Sequence, residues 1–310
     1  MSLIAQVFGN PELYASTLAL ATPLALPALG GTFSERTGVV NIAMEGNMLV
    51  GAFFGVMVAA FSHSPWLGLV VGMLAGGVLS LILAWTAIRL RSDQVVIGMA
   101  LNLFASGLTA FLFNTVFGAN GTPTNTPFLP TWTIPGIAQI PFVGQIIGQQ
   151  NVLVYLMLLL VIASHFVLFH TTLGLRMRAV GEHPEAADTV GISVASMRYL
   201  GVFIGGLLSG LGGVFLSIGL LNSFDIGMID GRGYIALAAM IFGKWTPLGS
   251  LGAALLFGFA SALSYALQGA GISSNLVAML PYVLTIVALA GLIGRSRPPA
   301  ADGIPYAPTK

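Results

Sequence analysis

Few side chains in this chain are equipped for chemistry, and most of those sit inside apolar sequence. Glu45 lies in VVNIAMEGNMLVGA with Asn41 and Asn47 beside it, and Asp225, Asp230 and Arg232 crowd FDIGMIDGRGY among three glycines. A charge at the centre of a bilayer costs about 2.5–3.5 kcal/mol on insertion scales, so it is seldom kept without a partner or a use. For Glu45 the partner would be Arg36 or a helix N-terminus, and structural pairing and a transport role are both open. The glycines around Asp230 favour an unwound backbone, which survives at membrane depth only where protein or a water-filled cavity satisfies it; a cavity wall is the favoured reading. Asn102 and Asn114 lie about 18 Å apart along one helix and either line the same pathway or bridge helices.

The chemistry these residues leave out is equally informative. The four histidines, His63, His165, His170 and His183, show neither the HExxH spacing nor companion ligands, so no metal site is expected. There is no cysteine, which excludes disulfides and thiolate catalysis. No GxxxxGK[ST] motif is present to cradle ATP phosphates, so the chain is expected to hold no cofactor, and ATP-driven work would need another subunit. No nucleophile–base pair suggests an intramembrane enzyme. A net charge of +1 offers no basic surface for nucleic acid.

The elements that must position these residues follow from composition. Of 310 residues 56% are hydrophobic and only 7% charged, with a mean hydropathy of +0.93. The chain reads as a single membrane domain, 1–310, all-α, a polytopic helical bundle. Long helices are expected near 12–31, 42–62, 66–89, 94–118, 150–170, 198–222, 248–268 and 274–294. The ten residues Tyr234 to Gly243 reach only about 15 Å and read as half of a broken helix. Arg89 and Arg91, then Arg176, Arg178 and Arg198, then Arg295, Arg297 and Lys310 mark cytoplasmic ends. Parity then requires the short stretch to complete a crossing, giving about nine crossings, a cytoplasmic C-terminus and an extracytoplasmic N-terminus. The first sixteen residues lack the positive region of a signal peptide and read as uncleaved. The uncharged loop 119–149 is expected outside, as an ordered lid or a docking rim. A weak echo between Ser64–Ile82 and Trp245–Leu263, in helices expected to run oppositely, suggests an inverted repeat.

The loop 171–197 carries the strongest local signal, GEHPEAADTVGI. Pro184 suits a first helical position, Glu185 the positive end of a helix dipole, and Gly191 a left-handed stop. The spacing predicts a helix of two turns, unstable alone in water, whose Ala186 and Ala187 offer a flat face to a partner groove or to its own bundle.

At these residues a family resemblance enters. LGGTFSERTGVVNIAMEGNMLVGAFFGVM (Leu29 to Met57), MRAVGEHPEAADTVGISV (Met177 to Val194) and GRGYIALAAMIFGKWTPLGSLGAALLFG (Gly231 to Gly258) resemble permease subunits of bacterial ABC importers in the branched-chain amino acid and simple-sugar permease superfamily. The SERTGVVNIAMEG form is most similar to the nucleoside-uptake branch. The resemblance implies a coupling helix with Gly181, Glu182, His183, Pro184, Glu185, Ala186, Ala187, Asp188 and Gly191 meeting an ATPase subunit. It also implies a second, related permease chain, an extracytoplasmic substrate-binding lipoprotein, and a place in the bacterial inner or plasma membrane among lipid. The translocation path would draw on Asn41, Glu45, Asn47, Asn102, Asn114, Asp225, Asp230 and Arg232. A proton-coupled secondary transporter with Glu45 as carrier is the alternative.

Overall fold

The computed structural model describes residues 7–118, 121–123, 126–268, 279, 283 and 296–307. In chain order, α1 is Pro11–Arg36, α2 Met44–Ser62, α3 Pro65–Ile88 and α4 Gln94–Val116. A lid of β1 (Thr131–Thr133), α5 (Val143–Ile147) and β2 (Gln149–Asn151) leads to α6, Val152–His170. Next come α7 (Thr172–Glu182), α8 (Pro184–Thr189), and α9 (Val194–Val214), which continues as a π-helix over Phe215–Leu221. The half-helix α10 is Arg232–Phe242, and α11 is Pro247–Leu267. Seven of these, α1, α2, α3, α4, α6, α9 with its π extension, and α11, are long and apolar enough to cross a bilayer. The eighth long helix expected, 274–294, lies outside the described residues but for 279 and 283. The molecule is thus a multi-pass helical bundle. The all-α expectation holds for the class: among the described residues the strands are β1 and β2, three residues each, which pair antiparallel.

Helix starts are set locally. Asn10 accepts from the Glu12 N–H ahead of Pro11, Asp93 from Val95 and Val96, and Thr246 from Gly249 ahead of Pro247. Packing sets the rest. Most of α1, α2 and α9 is buried, whereas less than half of α4, α6 and α11 is. The central helices meet through glycine: Gly51 faces Gly210, and Gly30 faces Gly205, where a β-carbon on Gly30 would lie 2.6 Å from the Gly205 carbonyl oxygen. Helices in lipid gain no hydrophobic drive toward one another, so such close backbone approach is what holds the bundle. Because the obstacle is backbone, Gly30→Val should destabilise the fold by about 1–3 kcal/mol. A lower thermal midpoint of the detergent-purified protein would register this, and an unchanged one would mean that the crossing is loose.

The chain changes ends between Asn222 and Trp245 without a full-length helix. At the lid end, Phe224 exchanges backbone bonds with the Thr122 hydroxyl and packs edge-on against Phe53. At the other end, Arg36 Nε donates to the Trp245 carbonyl, 2.8 Å. Before α10, Asn222, Gly227, Asp230 and Gly231 have left-handed backbones, so that stretch is unwound. The lid is pinned to the π-helix, whose wide turn leaves carbonyls to be satisfied. The Leu129 N–H donates to the Ile218 carbonyl (2.9 Å), and the Asn151 amide to that of Gly219 (3.1 Å).

Candidate functional site

Glu45, in the first turn of α2, meets the start of α10. Its Oε1 accepts from the Gly231 N–H (2.8 Å) and its Oε2 from the Gly233 N–H (2.7 Å). A carboxylate there answers both the free N–H groups and the positive end of the helix dipole. Of the two partners open to Glu45, it is therefore the helix N-terminus that it takes. Arg36 is engaged elsewhere, with Trp245 and over the Phe169 ring. Arg232 Nη1 donates to the Met228 and Ile229 carbonyls (3.1 and 3.0 Å) and so braces the unwound turn. Asp225 and Asp230 project outward from that turn and are exposed.

Asn102 stitches three elements together. Its Oδ1 accepts from the Gly46 N–H (2.8 Å), and its Nδ2 donates to the Ile42 carbonyl (3.0 Å) and to the Tyr234 hydroxyl (2.9 Å). That is a bridging role, and it uses up the amide. Asn114 is not brought near it and lies exposed toward the far end of α4. Asn41 and Asn47 are fully buried, and their side-chain amides meet no hydrogen-bond partner among the described residues.

At the opposite end of α10, α7 and α8 form a surface platform. The expectation of two turns shrinks to six residues, Pro184–Thr189, closed as expected by Gly191 at φ +81, whose N–H donates to the Asp188 carbonyl (2.9 Å). The flat alanine face is corrected. Ala186 is exposed, but Ala187, 3% exposed, packs inward with Val180 and Val194. Gly181 is buried too, against the Arg36 backbone. Glu182, His183, Glu185, Asp188 and Thr189 are exposed, and Pro184 partly so.

Sequence reasoning passed over Val190, an apolar side chain 73% exposed at the tip of this platform. An isolated valine beside the stop glycine was the available signal. Also missed is a cavity of about 540 Å³ at the lid end, between the first turns of α1 and the last turn of α11, walled by Asn10, Glu12, Ser16, Leu220 and Tyr265. None of the expected path residues lines it, because the two helix ends that form it are remote in sequence.

Comparison with known proteins bears on this architecture. Residues 13–289 match the family model described as branched-chain amino acid transport system, permease component. The chain is 47% identical to the guanosine ABC transporter permease protein NupQ of Bacillus subtilis, over 94% of this chain and 95% of that one. It is 40% identical to the nucleoside ABC transporter permease protein NupC of Lactococcus lactis, over 96% of each. A solved structure described as an inward-facing conformation of a metal-chelate type ABC transporter shares the fold, with a TM-score of 0.52 at 19% identity, covering 90% of this chain and 85% of that one.

Proposed function

Because the chain belongs to the branched-chain amino acid transport system permease family, we propose that it is the transmembrane permease subunit of a bacterial ATP-driven importer that moves a nucleoside or simple sugar into the cytoplasm. The observation that carries this reading is the near full-length similarity to two permeases named for guanosine and nucleoside transport. The platform of α7 and α8 supports it. In this reading α8 is the coupling helix, with Glu185, Ala186, Thr189 and Val190 turned toward the groove of a separate ATPase subunit. That places α8 and the C-terminus at the cytoplasmic face, in keeping with the basic residues gathered there, and the lid and N-terminus outside.

A second, related permease chain completes the path, and an extracytoplasmic binding lipoprotein delivers the solute. ATP is consumed by the partner; this chain breaks no bond. Closure of the ATPase subunits on ATP moves α8, and the paired permeases tilt between outward-open and inward-open forms. A nucleoside offers a flat base and several hydroxyls, each needing a partner when desolvated. The lid-end cavity supplies suitable groups in the Tyr265 ring, the Glu12 carboxylate and the Ser16 hydroxyl. The proton-carrier alternative loses support because Glu45 is occupied as a helix cap.

The test is uptake of labelled nucleoside by vesicles holding the reconstituted complex, with ATP and the proton gradient varied separately. Uptake should follow ATP and the ATPase subunit, and collapse of the proton gradient should leave it unchanged. Uptake by this chain alone, driven by a gradient, would refute the proposal.

A further inference from the structure

The C-terminal segment 296–307 lies across the end of the bundle that carries α8 and is tied to four elements. The Ser296 hydroxyl donates to the Ile241 carbonyl near the end of α10, 2.8 Å. The Ala301 N–H donates to the Gly181 carbonyl (2.9 Å), and the Ala300 N–H to the Glu182 carboxylate (3.2 Å), both at the end of α7. Arg198 in the second turn of α9, only 1% exposed, donates Nη1 to the Ile304 carbonyl, 3.0 Å. Tyr306 reaches α8 itself: its hydroxyl donates to Asp188 Oδ2 (2.8 Å), and the side chain packs on the cluster of Val180, Ala187 and Val194.

The middle of the segment is anchored in the core. Asp302 meets the buried carboxyl of Glu35, whose Oε2 accepts from the Trp245 indole N–H at 2.6 Å. Burial and the Glu35 carboxyl opposite push Asp302 well above the usual carboxylate range.

The segment reads SRPPAADGIPYA. Ordering a free segment costs about 1–2 kcal/mol per residue. Three prolines lower that cost by stiffening the unbound state, and the five bonds above offset part of the rest. A stiff segment fixed at both ends transmits displacement; a slack one absorbs it. One end is on α8, and the other is on α10, whose far end is the unwound turn capped by Glu45.

We propose that residues 296–307 form a transmission strap, with Tyr306 as its positioning residue, which passes movement of α8 to the half-helix α10. This rests on the reading of α8 as the ATPase contact. The strap also divides the labour on α8: Ala187 and Asp188 face the chain's own tail, leaving Glu185, Ala186, Thr189 and Val190 for the partner.

The test uses the full complex in lipid nanodiscs and vesicles. Tyr306→Phe keeps the ring and removes one hydroxyl. It should retain the ATPase subunit and basal hydrolysis while lowering solute moved per ATP about threefold, the scale of a single hydrogen bond. Asp188→Ala, which deletes the acceptor, should lower it similarly, and the double variant should be no worse than the poorer single one, because both remove one interaction. A stop codon at position 297 should lower solute moved per ATP by about tenfold, the worth of roughly two such bonds, and should speed amide hydrogen exchange across 184–192. Ala186→Glu serves as the reference. If it abolishes uptake while Tyr306→Phe and the truncation both match wild type in solute per ATP, the strap is idle and the proposal fails, though α8 keeps its role. If Ala186→Glu is also silent, both readings fall together. Should the truncated chain not fold, Tyr306→Phe with the Asp188 cycle decides alone.

Discussion

Replacing Ala186 by glutamate is expected to cut uptake by at least about a hundredfold, while the chain still inserts, folds and assembles its second permease. Ala186 is exposed on α8, so the larger side chain disturbs nothing within this chain. It would wedge a charged group into the contact with the ATPase subunit, and burying an uncompensated charge at an interface costs several kcal/mol. The adjacent substitution separates coupling from folding. Ala187 packs against Val180 and Val194, so Ala187→Glu buries a charge in this chain's own core and should lower the yield of folded protein. Gly191→Val acts by a third route. The Cβ direction of Gly191 meets no atom within 4 Å, so its whole effect is the strain of a φ of +81, about 1–2 kcal/mol for a residue with a side chain. Uptake should fall about tenfold or more as the stop that ends α8 relaxes. Solute captured by the binding protein should stay normal in Ala186→Glu and Gly191→Val, with hydrolysis no longer stimulated by the loaded binding protein. Uptake near wild type in both would make α8 an idle surface element.

Removing the carboxylate of Glu45 should be nearly as severe. Glu45→Ala leaves the Gly231 and Gly233 N–H groups without their acceptors and strips a negative charge from the start of α10. Hydrogen bonds to a charged group contribute about 1.5–3 kcal/mol each. Glu45→Gln keeps one acceptor oxygen and should fall between. The thermal midpoint in detergent should therefore decline from wild type through glutamine to alanine, and uptake with it, because α10 no longer has a fixed start. Where Glu45 is a cap, the remaining uptake keeps the same response to ATP and none to the proton gradient. A glutamine variant as stable as wild type, whose uptake had lost a proton dependence that wild type showed, would restore the carrier reading.

Hydropathy is a local property, and it located the long helices well. The expected 66–89 and 94–118 became Pro65–Ile88 and Gln94–Val116, because capping residues such as Asp93 act within three positions of the backbone they satisfy. The half-helix at Tyr234 was legible for the same reason: ten apolar residues between glycine-rich turns cannot span a bilayer, whatever surrounds them. The left-handed stop at Gly191 and the unwound segment before α10 were equally legible, since both depend on glycine's freedom at a few adjacent positions.

What faces what was another matter. α7 was missed because its charged residues, Arg176 and Arg178, read as loop, and it is its burial of Met177 and Val180 that makes it a helix of this bundle. The π-helix has no period of its own in the sequence; its wide turn persists where Leu129 and Asn151, from the lid, meet its carbonyls. Glu45 chose between Arg36 and a helix N-terminus 186 residues away, and the two alanines of α8 parted company according to the packing of α7 and α9 around them. The tail joined α8 through Tyr306 and Asp188, 118 residues apart. Composition and spacing determined that this chain crosses a membrane, where it does so, and where its helices begin and break, because those follow from solvation and backbone geometry over a few residues. The partners of its buried charges, the outward face of α8 and the course of the tail were decided only by the tertiary structure, because each depends on groups that chain folding alone brings together.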